Sequence, residues 1–236
     1  MEKNKYLECL AYMGIGGAHP GGLLATKYVL NEVSIPRGLN ILDVGCGTGQ
    51  TAAFLEKQYE ANVTALDNHE MMVEKALKRK EQEQLTINVV NGNVEALPFA
   101  DDSFDMVISE SVLAFTNVSK AISEICRVLK DDGIFYCIEM VLEKSSKELN
   151  QITDFYGMEK IFKEEEWVSL LQNAGFKMTN SKTFEYDIHQ ITVDDAPEFQ
   201  LSESVDDAHV DTLLEHDYLT KQFQKELGFR IFHCKL

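Results

Sequence analysis

The eight residues Leu42-Asp43-Val44-Gly45-Cys46-Gly47-Thr48-Gly49 constrain this chain more than any others. They close a short apolar run over 40–44 and precede a stretch of helical character over 50–59. A glycine turn between a strand and a helix lets the backbone approach a ligand closely. The exposed N–H groups at the helix start favour a carboxylate or phosphate. Spacing then separates the nucleotide-like ligands. Dinucleotide folds use G-x-G-x-x-G, whereas here the third glycine comes one residue early and Gln50 stands in its place. No G-x-x-x-x-G-K-[ST] pattern occurs, which excludes a P-loop. A glycine turn without any ligand is the plain alternative.

The residues that follow favour a ligand. Short apolar runs at 62–67, 85–90, 104–109 and 134–141 read as strands. Helical patterns at 50–59, 70–80 and 118–130 fall between them. Such alternation predicts a parallel sheet with helices on both faces. Asp67 ends the second strand, where an acidic side chain can bond ribose hydroxyls or cap the next helix. Asn93 and Val94 lie in a loop after the third strand, over the binding crevice of such a sheet.

Charge narrows the partners. The chain has 22 basic and 39 acidic side chains in 236 residues, a formal net charge of −17. It lacks the basic footprint that phosphate contacts require, so neither nucleic acid nor an anionic membrane is expected as partner. No apolar run reaches the ~18 residues of a membrane span, and residues 1–10 do not read as a signal peptide. Five scattered cysteines with no C-x-x-C pair argue against a disulfide framework and a zinc site. A cytoplasmic setting is expected.

Taken together, LDVGCGTG, Asp67, Asn93, the LPF and DDSFD segments at 97–105 and the RVLKDDG segment at 127–133 resemble the class I S-adenosylmethionine-dependent methyltransferases, in their small-molecule type 11 group. The resemblance covers about residues 38–142. Asn93 stands where that family usually has Asp, and Asp131 and Asp132 replace its Pro-Gly turn. It implies a Rossmann-like α/β fold with a seven-stranded mixed sheet, order 3-2-1-4-5-7-6. It also implies S-adenosyl-L-methionine as cofactor, with Asp43, Gly45, Cys46, Gly47 and Gly49 around it. Asp67, Asn68, Asn93, Val94 and Ser109 complete that expected set.

The expected organisation is one domain over 1–236. An N-terminal helical cap and glycine loop occupies 1–38, the cofactor-binding core 39–142 and a C-terminal part 143–236. Between the last two strands, where the family has a tight connection, an acidic insertion runs from about 189 to 227. It reads as a solvated helix, a cover over the acceptor site or a homodimer contact. Its second half carries a helical pattern of Val210, Leu213, Leu214, Tyr218, Phe223 and Leu227.

Methyl transfer from a sulfonium asks little of a protein beyond alignment. A general base is needed only if the acceptor arrives protonated. Glu110, after the fourth strand, is one candidate to orient or deprotonate a small-molecule acceptor, with Glu139 a weaker one. His19, in the glycine loop 14–22, is the other; its plain alternative is a cap for the helix after Pro20. No metal-ligand spacing is present. The rival to an enzyme is a non-catalytic S-adenosylmethionine-binding regulator.

Overall fold

A computed structural model describes residues 4–31, 33, 35–184 and 198–236. Helix α1 (Lys5–Met13) is capped by Asn4, whose side chain accepts the Tyr6 and Leu7 N–H groups. A two-residue strand β1 (Ile15–Gly16) and helix α2 (Gly22–Asn31) follow. The alternating core then runs β2 (Asn40–Val44), α3 (Gln50–Tyr59), β3 (Asn62–Asp67), α4 (Glu70–Gln82), β4 (Asn88–Asn91), β5 (Phe104–Glu110), α5 (Val118–Val128) and β6 (Leu129–Leu142). The C-terminal part adds α6 (Asn150–Tyr156), α7 (Glu164–Asn173), β7 (Lys177–Lys182), β8 (Glu198–Phe199), α8 (Asp207–Gln222) and β9 (Leu227–Lys235).

Seven strands form one sheet in the order β4-β3-β2-β5-β6-β9-β7. Strands β2 to β6 pair in parallel, and β9 runs antiparallel to both its neighbours. This is the expected order 3-2-1-4-5-7-6. Apolar side chains fill both faces. Helix α5 shows why: Val118, Ala121, Ile122, Ile125 and Val128 recur at helical spacing and are buried. Asn117 caps it by accepting the Lys120 N–H at 3.2 Å. The other face packs Ala52, Leu55 and Ala76 from α3 and α4 against Ile41 and Val63. A third apolar cluster, with Tyr6, Ile152, Tyr156, Leu219 and Phe223, joins α1, α6 and α8 beside the sheet. No helix of the described residues is long and apolar enough to cross a membrane.

Two local expectations are corrected, and one helix buries a face that its apolar pattern does not show. Helix α5 stops at Val128, and residues 129–133 belong to β6 rather than to the helix end and a turn. Leu129 pairs with Phe104, and a register shift between Phe104 and Met106 absorbs the extra residues. In α8 the apolar pattern does not mark the buried face: Val210, Leu214 and Tyr218 are exposed, while Thr212 and Leu219 are buried. The reason is the partner helix. Cys9 Sγ of α1 lies 3.2 Å from the His209 carbonyl, Tyr12 packs on the His209 ring and Tyr6 stacks on His216. Finally, Phe223 caps α8 and Leu227 opens β9, so neither belongs to the helix.

Between β7 and β9 the chain carries β8 and α8, so the unusually long connection is real structure in its described part. Strand β8 pairs antiparallel with β1, Ile15 opposite Phe199 and Gly16 opposite Glu198. The Gln200 N–H donates to the Gly14 carbonyl and the Ser202 N–H to that of Tyr12, both at 2.9 Å. The insertion thus straps the glycine loop.

Candidate active site

Parallel pairing brings the carboxyl ends of β2, β3 and β5 to one sheet edge, the side on which ligands of open α/β sheets sit. Asp43, Asp67 and Glu110 are carried there. They line a cavity of about 200 Å³ together with Gly45, Cys46, Gly47 and Thr48.

The glycine turn is shaped by close contacts. Gly45 has a φ of 68°, and a Cβ there would meet Val112 Cγ2 at 2.3 Å. Gly47 has a φ of 54°, and a Cβ there would meet nothing within 4 Å, because that side is open cavity. Its N–H donates to Asp67 Oδ2 at 2.9 Å, while Asp67 Oδ1 accepts the His69 N–H at 2.8 Å. Asp67 therefore holds the turn as well as facing the cavity. Gly49 starts α3, and a Cβ on it would meet Ala76 of α4 at 3.3 Å, so it serves helix packing.

Burial shapes the acids. Asp43 is 2% exposed, and its Oδ2 has no hydrogen-bond partner among the described residues. Burial, then the charges of Glu110 and Asp67, hold its carboxyl well above the usual range. Burial also raises Asp67, against the pull of its backbone N–H bonds.

The two candidates for acid–base work meet. His19 Nε2 lies 3.4 Å from Glu110 Oε2, with the side chains 4% and 10% exposed. Glu110 is held from two sides: Thr26 Oγ1 donates to Oε1 at 2.5 Å and Thr51 Oγ1 to Oε2 at 2.7 Å. His19 Nδ1 lies 3.3 Å from the Pro20 carbonyl. Neither threonine carries a sequence signal of its own. Thr51 is two residues after the glycine motif, in α3, and Thr26 sits in α2.

The remaining expected residues divide. Asn68 and Val94 line the same cavity. Asn93 is exposed and lies off its wall, with Oδ1 accepting the Glu95 N–H at 2.9 Å. Ser109 is fully buried within the sheet beneath the crevice, between Val44 and Cys137, and its Oγ has no partner among the described residues.

A second chamber of about 550 Å³ adjoins the first. His19, Ser111 and Phe115 belong to the walls of both. Glu139 stands on the second chamber's wall. Its Oε1 accepts the Val112 and Leu113 N–H groups at 3.2 and 2.9 Å, and burial pushes its carboxyl up to about 8.

The first cavity fits S-adenosylmethionine. No Lys or Arg is among its described lining residues, and three carboxyl groups face a ligand with a sulfonium and an ammonium. A dinucleotide diphosphate would meet the same acids, which disfavours it. Open space over Gly47 leaves room for the ligand's approach to the turn.

Known proteins agree. A family model described as a methyltransferase domain matches residues 42–137. A Bacillus subtilis protein named uncharacterized methyltransferase YodH is 39% identical over 97% of this chain and 98% of its own. A sterol 24-C-methyltransferase of Aspergillus fumigatus is 29% identical over 66% of this chain, but the match spans 44% of that enzyme. The fold is shared with phosphoethanolamine N-methyltransferase 2 of Haemonchus contortus, solved with S-adenosyl-L-methionine. That likeness has a TM-score of 0.76 at 16% identity, covering 98% of this chain and 57% of that one.

Proposed function

Because the chain belongs to the class I S-adenosylmethionine-dependent methyltransferases, we propose that it methylates a small-molecule acceptor, with His19 as the group that takes the acceptor's proton. The observation that carries this reading is the place of His19. It stands on the wall common to both cavities, with Glu110 3.4 Å behind it.

The cofactor supplies an activated methyl group on a positive sulfur. Asp43, Asp67 and Asn68 would hold its polar groups, with Cys46 and Val94 packing beside them. Gly45 and Gly47 keep the turn open, and Gly49 fixes the helix that follows. Asn93 and Ser109 stand off the cavity wall and support this reading only indirectly, through the loop and strand that carry them.

Within this reading His19 and Glu110 act in series. Thr26 and Thr51 hold the carboxylate, the carboxylate faces Nε2, and the Pro20 carbonyl faces Nδ1. With Nδ1–H donated to the Pro20 carbonyl, Nε2 is the atom that takes the proton of a hydroxyl or amine, and the imidazolium so formed faces the Glu110 carboxylate, which favours the transfer. Glu110 lines the first cavity and not the second, so its role toward the acceptor runs through His19.

The direct test is a metabolite extract incubated with the protein and methyl-labelled S-adenosylmethionine, with the labelled product identified by mass. Transfer to a small molecule that is lost in His19→Ala is the expected result. Label found only on protein or nucleic acid would overturn it.

A further inference from the structure

The second chamber differs from the first in its chemistry. Its walls are mainly apolar and aromatic: Leu10, Phe115, Met140, Met158 and Leu213 contribute. No Lys or Arg is among its described lining residues. Its few polar groups are held in pairs or held by backbone. Tyr156 Oη lies 2.8 Å from His216 Nδ1, joining α6 to α8. Glu139 is fully buried, with Oε1 occupied by two backbone N–H groups and Oε2 without a hydrogen-bond partner among the described residues.

We propose that this chamber takes the methyl acceptor as an uncharged, largely apolar molecule bearing an oxygen, and discriminates against acceptors that carry a phosphate, a carboxylate or an ammonium. The proposal rests on the reading of the first cavity as the cofactor's. Three observations carry it. A volume of about 550 Å³ lies in the range of sites that enclose drug-sized ligands, which are mostly apolar with a few placed polar groups. An anion would enter with no cationic side chain to offset its lost hydration, a cost that buried charges avoid only by pairing. And burial drives three titratable groups of the chamber toward their neutral forms: Glu139 and Tyr156 are raised, and His216 is lowered. An ammonium would need Glu139 ionised against that burial.

The geometry also orients such a molecule. With its nucleophilic atom at the wall shared with the first cavity, beside His19 and Ser111, its apolar body extends between α1, α6 and α8. Glu139 stands buried in the wall beside it: Oε1 is bound as an acceptor by two N–H groups, so a neutral carboxyl carries its proton on Oε2 and adds no charge to the chamber.

Three naphthalenes that share one ring system and differ in the charge of a single small substituent test this: 1-naphthol, 1-naphthoate and 1-naphthylmethylamine. Binding of each is measured by calorimetry at neutral pH, on protein saturated with S-adenosylhomocysteine. Naphthol is expected to bind at least about tenfold more tightly than either ion, as the burial of an unpaired charge requires. Leu213 lines the second chamber and not the first. Leu213→Trp, which fills the chamber, should weaken naphthol by about tenfold or more and leave S-adenosylhomocysteine affinity within about threefold. Should Leu213→Trp fail to fold, Ala114→Leu fills the same chamber. Tighter binding of either ion, no naphthol binding at millimolar concentration, or naphthol binding indifferent to the filled chamber would each overturn the proposal. Failure of wild-type protein to bind S-adenosylhomocysteine would instead sink the cofactor reading, and this proposal with it.

Discussion

His19 Nε2 and Glu110 Oε2 lie 3.4 Å apart, bringing the glycine loop onto the end of the fourth core strand. The pair makes a coupled prediction. His19→Ala should lower turnover by about 10²–10⁴-fold, the span of a positioned acid–base group. Glu110→Gln should lower it by less, because the one amide oxygen still accepts from Thr26 or Thr51 while the charge is lost. The double variant should be no worse than His19→Ala, since Glu110 acts through the ring. Additive losses in a double-mutant cycle would separate the two roles.

The cofactor turn makes a second prediction. Gly47→Ala places its methyl in open cavity, so the fold should survive, at the modest cost of a left-handed non-glycine residue. S-adenosylmethionine affinity should fall by about tenfold or more, because that space belongs to the ligand. Gly49→Ala meets Ala76 instead and should act mainly on melting temperature. Calorimetry on the two variants separates these effects; equal loss of affinity in both would contradict the placement.

Much of this was legible because strands and helices carry different periods. The runs at 40–44 and 62–67 coincide with β2 and β3, and the glycine motif falls between β2 and α3. Position in that pattern also put Asp67 at the ligand edge, and the family resemblance added Asp43. What sequence could not supply was contact between distant segments. The exposed pattern of α8 misleads because a small helix, α1, covers the opposite face with polar and aromatic side chains. The β1–β8 pair is two residues long and has no periodicity to read. The threonines that hold Glu110 come from α2 and α3, and nothing local marks them. Glu139 stood out as a carboxyl on a core strand, but its burial shows only once the sheet is assembled.

Glu139 carries a pH prediction. Burial raises its folded-state pKa to about 8, whereas an unfolded glutamate titrates near ~4.3. Between those values the folded state binds more protons than the unfolded chain. Its contribution is complete at low pH and lost as pH rises toward the folded value, with a slope approaching ~1.4 kcal/mol per pH unit. Glu139→Gln retains an oxygen for the Val112 and Leu113 N–H groups and removes the titration. The loss of stability between about pH 5 and pH 8 should shrink in the variant when followed by urea unfolding. Asp43, raised by burial too, keeps part of the slope. Identical slopes in wild type and variant would show Glu139 to be ionised throughout.

Arg79 links the strap to the cofactor turn. Its side chain is 6% exposed. It donates from Nε to the Thr48 carbonyl at 2.8 Å, from Nη1 to Glu83 at 2.9 Å, and through Nη2 to Glu198 of β8. One guanidinium thus holds the glycine turn and the inserted strand at once, a geometry that a point charge such as Lys does not reproduce. In Arg79→Lys the bond to Glu83 or to Thr48 can be kept, but not all three. Among the described residues, the segment 198–202 is otherwise held by two paired residues, the Gln200 and Ser202 N–H bonds, the Lys75 ammonium on the Gln200 carbonyl and the Ser202 Oγ contact to Met71 Sδ. Amide exchange at Gln200 and Ser202 should therefore quicken in Arg79→Lys, while β2 and β5 stay protected. S-adenosylhomocysteine affinity should drop as well, because the Thr48 carbonyl is no longer fixed. If the strap matters only as a cover, exchange changes and affinity does not. If Arg79 matters only to the turn, affinity changes and exchange at Gln200 does not. Movement of both in one variant is the result the shared guanidinium requires.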